Sequence, residues 1–410
     1  MEKIVKFSTT IRNNWKKSVV GACALAYGAS VAKEKYDINI LMRAACKEAA
    51  LYGDALIPME RNPTVVTVIL NPVANKRSAK KDFEKYCEPL LHLAGLQVDV
   101  VQTASEGNAK EIVETLKGTE AIIVAGGDGT LSETVTGLLR RNDEANRFPL
   151  GVLPLGRTNK LGNSLFPGGS DNVEKVKQLI DASMAIIRGK TEWKDALKIE
   201  QITDGEETPR PIFAMSSIEW GAFRDTMAKK DKYWFTAGLR EYATFLFNGY
   251  KDSITWNCSG TLKYTPPCAG CANCVQKKPE PKKKWSFFIP SMQATTVGPK
   301  EINPECLKSE ELCFKTAEFK IETAAEKQEK PSLKIILGKS SYSYAQFVSE
   351  GWDRLKKKPE GKEVICARTV ELLPHDPGKE VTIEIDKEEF ELKPVKVTIL
   401  PKIVKLFCLQ

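Results

Sequence analysis

Residues 121–133 read Ala121-Ile-Ile-Val-Ala125-Gly126-Gly127-Asp128-Gly129-Thr130-Leu-Ser-Glu133. The run Ala121 to Ala125 is apolar throughout, as a strand of a parallel sheet is when helices cover both its faces. It delivers the chain into a glycine-rich turn, and Ser132 to Arg141 reads as a helix. Glycine lets the backbone take positive φ and approach a ligand closely, and a helix N-terminus offers free N–H groups and a dipole that favours anions. A phosphate site is the natural use of that geometry. Asp128 is the odd member, because a carboxylate repels a phosphate unless it holds a metal or accepts a proton. Phosphoryl transfer needs both functions. The alternative is a tight turn in which Asp128 only caps the helix.

The flanking sequence repeats the same rhythm. Thr64 to Leu70 is a β-branched run stopped by Asn71-Pro72; Lys80 to Gly95 is helical; Val98 to Val101 is a strand; Ala109 to Leu116 is a helix; Leu150 to Leu153 is a strand ending at Pro154. Strand–helix alternation predicts an α/β layer with a largely parallel sheet over 61–190. After about residue 190 helices become scarce. Ile383 to Ile385 and Val395 to Ile399 alternate with period two, as half-buried antiparallel strands do. Trp234 to Tyr250 reads as one long amphipathic helix, and the Lys-rich stretches 277–284 and 356–362 read as exposed loops. An antiparallel second domain over 191–410 is expected.

Composition narrows the chemistry. The 410 residues are 42% apolar and 28% charged with net charge +8, which is globular and mildly basic. Anionic partners such as nucleotides or acidic phospholipids suit this charge; no nucleic-acid module is recognisable, and no nucleic-acid partner is expected. Only His92 and His375 are present. His92, in a helix-like stretch, reads as structural and His375, beside two prolines, as a loop residue, so a Ser-His-Asp triad and a His-rich metal site are disfavoured, and acid–base work falls to carboxylates or lysine. Gly189-Lys190-Thr191 and Gly338-Lys339-Ser340 imitate a Walker A loop, but Met184 and Leu333 stand where its first glycine belongs.

Residues 1–17 are basic, and Ser18 to Ala32 carries no charge. A secretory signal has this charge order, but no clear cleavage site follows. The run of about 15 is short of the roughly 18 residues of a spanning helix. Residues 1–60 therefore read as a membrane-associating or mitochondrial targeting segment, with a plain amphipathic helix as the alternative and a second helix over 37–56. Eleven cysteines include the cluster Cys258, Cys268, Cys271 and Cys274. Short spacing suits a structural Zn²⁺ held by four thiolates; disulfides, or neither, are the other readings.

Asn71-Pro72, Val124 to Thr130 and Pro154-Leu-Gly-Arg-Thr-Asn159 together resemble the diacylglycerol kinase catalytic domain, whose superfamily includes sphingosine and ceramide kinases and is related to NAD kinases. Within it, Val124 to Arg141 with Pro154-Leu-Gly156 is most similar to the mitochondrial acylglycerol kinase family. The resemblance covers roughly 61–260 and the last thirty residues. It implies an NAD-kinase-like nucleotide-binding α/β domain followed by an antiparallel β-sandwich, and phosphorylation of monoacylglycerol and diacylglycerol by ATP–Mg²⁺. It also implies Gly126, Gly127, Gly129 and Thr130 around the ATP phosphates, and Asp128 orienting or deprotonating the acceptor hydroxyl. Asn71, Thr103, Glu133, Gly156 and Asn159 would lie at the nucleotide site. Near the C-terminus the family's Asp-Gly-Glu, which helps organise the metal, is Asp386-Lys387-Glu388 here, and the family's glycine after Asn-Pro is Asn75.

Ser217 to Gly221 with Asp225 is similar to the family's substrate element. Sphingosine kinases carry an acid where this chain has Met227, so an uncharged glycerolipid is implied as the substrate. Trp220, Phe223, Tyr233, Trp234, Phe235, Phe245 and Phe247 either line an acyl pocket or are ordinary core. The resemblance places the protein at the mitochondrial inner membrane facing the intermembrane space. It implies carrier translocase subunits as partners, and a non-catalytic assembly role is the alternative to the kinase.

Overall fold

The computed structural model describes residues 14–55, 63–141, 143, 148–169, 171–203, 205, 209–248, 258–268, 271, 303–304, 306, 308–323, 330–356, 363–375 and 381–409. Its centre is β1 (Val65–Leu70), flanked in parallel by β2 (Gln97–Gln102) and β3 (Ala121–Gly126), with β4 (Leu150–Pro154) parallel to β3. Alternate residues of β3 serve opposite layers. Ala121, Ile123 and Ala125 pack with Phe83, Leu90, Leu91, Val176 and Ile180 from helices on one face. Ile122 and Val124 pack with Ala109, Val113, Leu131 and Val135 from the other. Both faces are dry, so the strand must be apolar at every position. At the sheet edge, β2 is largely exposed, and its sequence is correspondingly mixed.

The N-terminal segment forms one continuous helix, Trp15–Gly53, in place of the two expected segments. Its second half buries Ile38, Ala45 and Ala49 against the first domain, where Arg188 pairs with Glu48 at 2.6 Å. Its first half presents Leu25 and Tyr27 to solvent at 77% and 75% exposure. Among the described residues no helix is long and apolar enough to cross a membrane.

The second half supplies β5 (Thr191–Gln201), β6 (Ile212–Ala214), β7 (Ser217–Gly221), β8 (Cys258–Thr265), β9 (Glu310–Thr316), β10 (Glu318–Thr323), β11 (Leu333–Leu337), β12 (Glu363–Ala367), β13 (Thr369–Pro374), β14 (Thr382–Ile385), β15 (Glu388–Glu391) and β16 (Val395–Phe407). One sheet runs β2-β1-β3-β4-β16-β13-β8-β9, with β5 and β6 branching from β16; the other is β12-β11-β10-β7-β14-β15. Leu197, Leu262, Val370 and Val397 of the first meet Ile218, Trp220, Phe319, Ile335 and Ile383 of the second in one core. That is an antiparallel sandwich packed face to face, following a mixed α/β sheet. Strand β16 belongs to both halves: Thr398 pairs with Thr369 of β13, whereas Leu406 lies beside Leu150 of β4.

Helices are commoner here than the sequence suggested. Tyr344–Leu355 opens on a capping box made by Ser343 and Gln346, a local signal that was present in the sequence. The expected helix over 234–250 is a 3₁₀ segment, Lys230–Leu239, followed by Arg240–Asn248. Aromatics crowd this stretch, and β-branched Thr236 and especially Gly238, just before the break, disfavour a continuous α-helix.

Candidate active site

Strand β3 ends at Gly126, and the helix that follows begins at Asp128, earlier than its apolar periodicity indicated. Two glycine backbones meet here. A Cβ on Gly156 would fall 2.2 Å from Gly127 Cα, and one on Gly127 would fall 3.0 Å from Thr158 O. Neither position tolerates a side chain without separating the loops. The 156–159 loop is held from within by Asn159, whose Oδ1 accepts from Gly156 N–H at 3.0 Å and whose Nδ2 donates to Gly156 O at 2.8 Å. Asp128 N–H donates to Thr158 O at 3.0 Å. Gly156 and Asn159 thus buttress the glycine loop.

The Asp128 side chain is 6% exposed. Its two oxygens accept from Lys160 N–H at 2.8 and 3.0 Å. Burial pushes its carboxyl up, opposed by the N–H groups of Lys160 and Leu161, the Thr158 hydroxyl and the Lys160 charge. Lys160 also reaches the second domain: its Nζ donates to Ser217 Oγ at 2.7 Å and pairs with Glu219 at 3.4 Å. Sequence reading missed Lys160 and Glu219. Burial works against the charged Glu219, but Lys387, Lys160 and Lys320 prevail and hold its carboxyl down at about 2.

Beside the glycine loop lies a cleft of about 250 Å³ lined by Asn71, Thr103, Glu106, Gly129, Thr130, Glu133 and Glu388 among others. Asn71 Nδ2 donates to Thr130 Oγ1 at 3.2 Å, joining the end of β1 to the first turn of the Asp128–Arg140 helix. Thr103 N–H donates to Leu70 O at 2.9 Å and sets the adjoining wall. Glu133 accepts from Gly107 N–H at 2.7 Å and Ala109 N–H at 3.1 Å, so its carboxylate pins the start of the Asn108–Thr115 helix to the cleft. Glu388 comes from the other domain: a Cβ on Gly129 would sit 2.6 Å from its Oε1. Burial first, then the neighbouring Glu133, Glu106 and Asp386 charges, push the Glu388 carboxyl up to about 8. A cluster of oxygen donors strained by its own like charge suits a hard divalent cation.

Asp386, expected beside Glu388 at the metal, is placed otherwise. Its carboxylate is buried and accepts from Met215, Ser216 and Ser217 N–H at 2.5, 2.9 and 3.0 Å. It anchors the entrance to β7, and burial still pushes it up despite those bonds. Asp386 and Lys387, at φ 46° and 73°, make the two-residue turn between β14 and β15. Both central residues of such a turn need positive φ, which is why glycine suits the second. Lys387 occupies that position and pairs with Glu219 at 3.4 Å and with Glu384. Asn75 stands likewise at φ 49°, where asparagine is the best tolerated substitute for glycine.

The substrate-side residues lie apart from this cleft. Asp225 Oδ1 accepts from Arg224 Nη1 at 2.6 Å, inside a network that includes Thr382 and Glu389. Met227 packs on the aromatic cluster of Phe223, Phe245, Tyr342 and Phe347. Of the remaining aromatics, Trp220 is sandwich core, whereas Trp234, Phe235 and Phe247 are 74%, 64% and 53% exposed. A separate apolar cavity of about 260 Å³ opens between the sheets, lined by Ile199, Ile212, Ile218, Ile383, Ile385 and Val395 among others.

The cysteine grouping needs correction. Cys258 lies in the sandwich core, where burial raises its thiol far above the usual range. Cys268 and Cys271 are instead joined by Cys306, and Cys274 lies outside the described residues. His375, exposed just beyond the end of β13, shares a 2.8 Å hydrogen bond with Thr261.

Residues 65–199 match the diacylglycerol kinase catalytic domain family, and residues 215–410 match the acylglycerol kinase C-terminal family. The chain is 35% identical over 420 residues to the mitochondrial acylglycerol kinase of Homo sapiens, covering 98% of this chain and 96% of that one. It is also 35% identical to that of Xenopus laevis, over 100% and 96%. A putative diacylglycerol kinase from Bacillus anthracis shares the fold, with TM-score 0.52 at 16% identity over 84% of this chain and 97% of that one. With the glycine loop, its buttress and the interdomain cleft in place along the whole matched length, the chain belongs to the acylglycerol kinase family and is a lipid kinase.

Proposed function

We propose that this protein transfers the γ-phosphate of ATP to the free hydroxyl of monoacylglycerol and diacylglycerol, giving lysophosphatidic and phosphatidic acid. The observation that carries this reading is the meeting of Glu388, from the second domain, with Gly129 of the glycine loop. Gly126, Gly127, Gly129 and Thr130 would face the phosphates, with first-turn N–H groups of the Asp128–Arg140 helix as donors. Asn71, Thr103 and Glu133 would shape the nucleotide wall. Glu388 and Glu106, with Glu133, would hold Mg²⁺, which when bound neutralises phosphate charge. Asp128 would take the proton of the acceptor hydroxyl; its burial makes it a stronger base than a solvated carboxylate. Lys160, bonded to Asp128 and to Ser217, keeps that carboxylate registered to the second domain. In this reading the chain divides near residue 190 into a catalytic part and a substrate part.

Several features support a glycerolipid at a membrane. Met227 is a thioether on an aromatic cluster and offers nothing to an ammonium group, and Asp225 is already engaged by Arg224. The cavity between the sheets has the apolar lining an acyl chain requires. Trp234 and Phe235 are exposed near Lys229, Lys230 and Lys232, a combination suited to an anionic lipid surface. The relatives' names carry the word mitochondrial, and the basic N-terminus agrees; we infer the inner membrane, facing the intermembrane space. The exposed apolar half of the Trp15–Gly53 helix also favours a second role, as an assembly subunit of the carrier translocase.

The test is phosphate transfer from labelled ATP–Mg²⁺ to micellar monoacylglycerol, diacylglycerol, ceramide and sphingosine, with Asp128→Asn alongside. Labelled glycerolipid from the wild type but not the variant is expected. Label in sphingosine alone would sink the Met227 argument. No transfer from folded, ATP-binding protein would leave the assembly role, which deletion of residues 1–33 separates from turnover.

A further inference from the structure

We propose that Cys268, Cys271 and Cys306 form a thiolate metal site, filled by zinc, that closes the base of the long excursion between β8 and β9. The three sulfurs lie within 4.8 Å of one another, and all three residues are buried. Thiolates on one tetrahedral Zn²⁺, with Zn–S near 2.3 Å, stand about 3.8 Å apart. A disulfide requires roughly 2.05 Å between two sulfurs and leaves the third cysteine outside the bond. A mutual grouping of three sulfurs is the arrangement of a metal site, and sulfur-rich donor sets select zinc over hard cations.

The surroundings fit the charge of such a site. Asn303 Nδ2 donates toward Cys268 Sγ at 3.8 Å, while Asn303 O accepts from Cys306 N–H at 3.2 Å, so one residue orients two ligands. Outer contacts of this kind position metal ligands. Arg368 Nη2 donates to Cys306 O at 3.5 Å and brings a cation to a group that is anionic once the thiols have lost their protons to solvent. Topology supplies the reason for a clip. Strands β8 and β9 pair down to Tyr264 opposite Glu310, and the chain leaves the sheet after Thr265; Cys268 and Cys271 follow that exit and Cys306 precedes the return. The basic stretch 277–284 lies on the excursion so closed. Cys274 lies outside the described residues and is not part of the site proposed.

The full-length protein, produced with zinc and purified under reducing conditions, should retain about one zinc per chain by mass spectrometry of the metal. Cobalt exchanged into it should show the intense sulfur-to-metal charge-transfer band of thiolate ligation. Cys268→Ser and Cys306→Ser should each lower retained metal at least about tenfold, while Cys313→Ser, on β9 and outside the trio, should leave it unchanged. Less than about a tenth of an equivalent of zinc in the wild type would overturn the proposal. So would a disulfide between any two of the three in metal-free wild-type protein, mapped on non-reduced peptides. Both of those readings use the wild type and survive a variant that fails to fold. Phosphate transfer measured on the same samples keeps this outcome separate from that of the kinase assay.

Discussion

Glu388→Gln isolates the electrostatics of the cleft. The carboxyl has an ordinary value of 4.5 and sits at about 8 here. At about 1.4 kcal/mol per pH unit, ionising it in the folded protein costs at most about 5 kcal/mol, and partial exposure trims this to about 3. The sign follows from the raised value. Below about pH 4.5 the group is protonated in both folded and unfolded chains and carries no penalty. As pH rises toward about 8, the unfolded chain gives up its proton while the folded one keeps it, so stability falls; above about 8 the penalty is complete. Glutamine cannot ionise. The stability of Glu388→Gln relative to wild type should therefore grow from near zero at about pH 4 to about 3 kcal/mol at about pH 9. Urea unfolding in Mg²⁺-free buffer measures this, and Mg²⁺–ATP should narrow the gap while the variant loses at least about a hundredfold in turnover. A stability difference flat in pH would refute the placement of Glu388 among Glu133 and Glu106.

Asp128→Asn should keep ATP affinity within a few fold and lose about 10²–10⁴ in turnover, by isothermal titration and the lipid assay. Gly156→Ala should weaken ATP binding at least about tenfold and destabilise by roughly 1–3 kcal/mol, because its methyl would lie 2.2 Å from Gly127 Cα. Lys387→Gly relieves a left-handed backbone but removes pairs to Glu219 and Glu384; unfolding free energy, measured by urea titration, should change by no more than about 1 kcal/mol, with the variant favoured as salt rises. Trp234→Ala with Phe235→Ala should reduce sedimentation with anionic vesicles severalfold while leaving ATP binding intact.

The first domain was legible because its signals are local. Doubly covered strands such as Ala121 to Ala125 must be apolar at each position, and a glycine loop that meets another backbone must be glycine. The second domain was less legible. Its strands are half exposed, its pairings join distant segments, and β16 divides its length between two neighbours, none of which a short window records. The Trp15–Gly53 helix reads as two segments in sequence because its composition changes midway, although its backbone does not.

The same division holds at the site. Sequence by itself determined the α/β class and the strand–glycine turn–helix unit on which the proposed phosphate site and the proposed acid–base role of Asp128 rest, since each depends on residues within that one unit. Tertiary structure decided what Asp386 and Glu388 do: two residues apart, one is consumed by backbone N–H groups at β7 and the other projects over Gly129. It also exchanged Cys258 for Cys306 in the thiol cluster. Hydrogen-bond capacity and burial are set by what folds against a side chain, and those neighbours come from elsewhere in the chain.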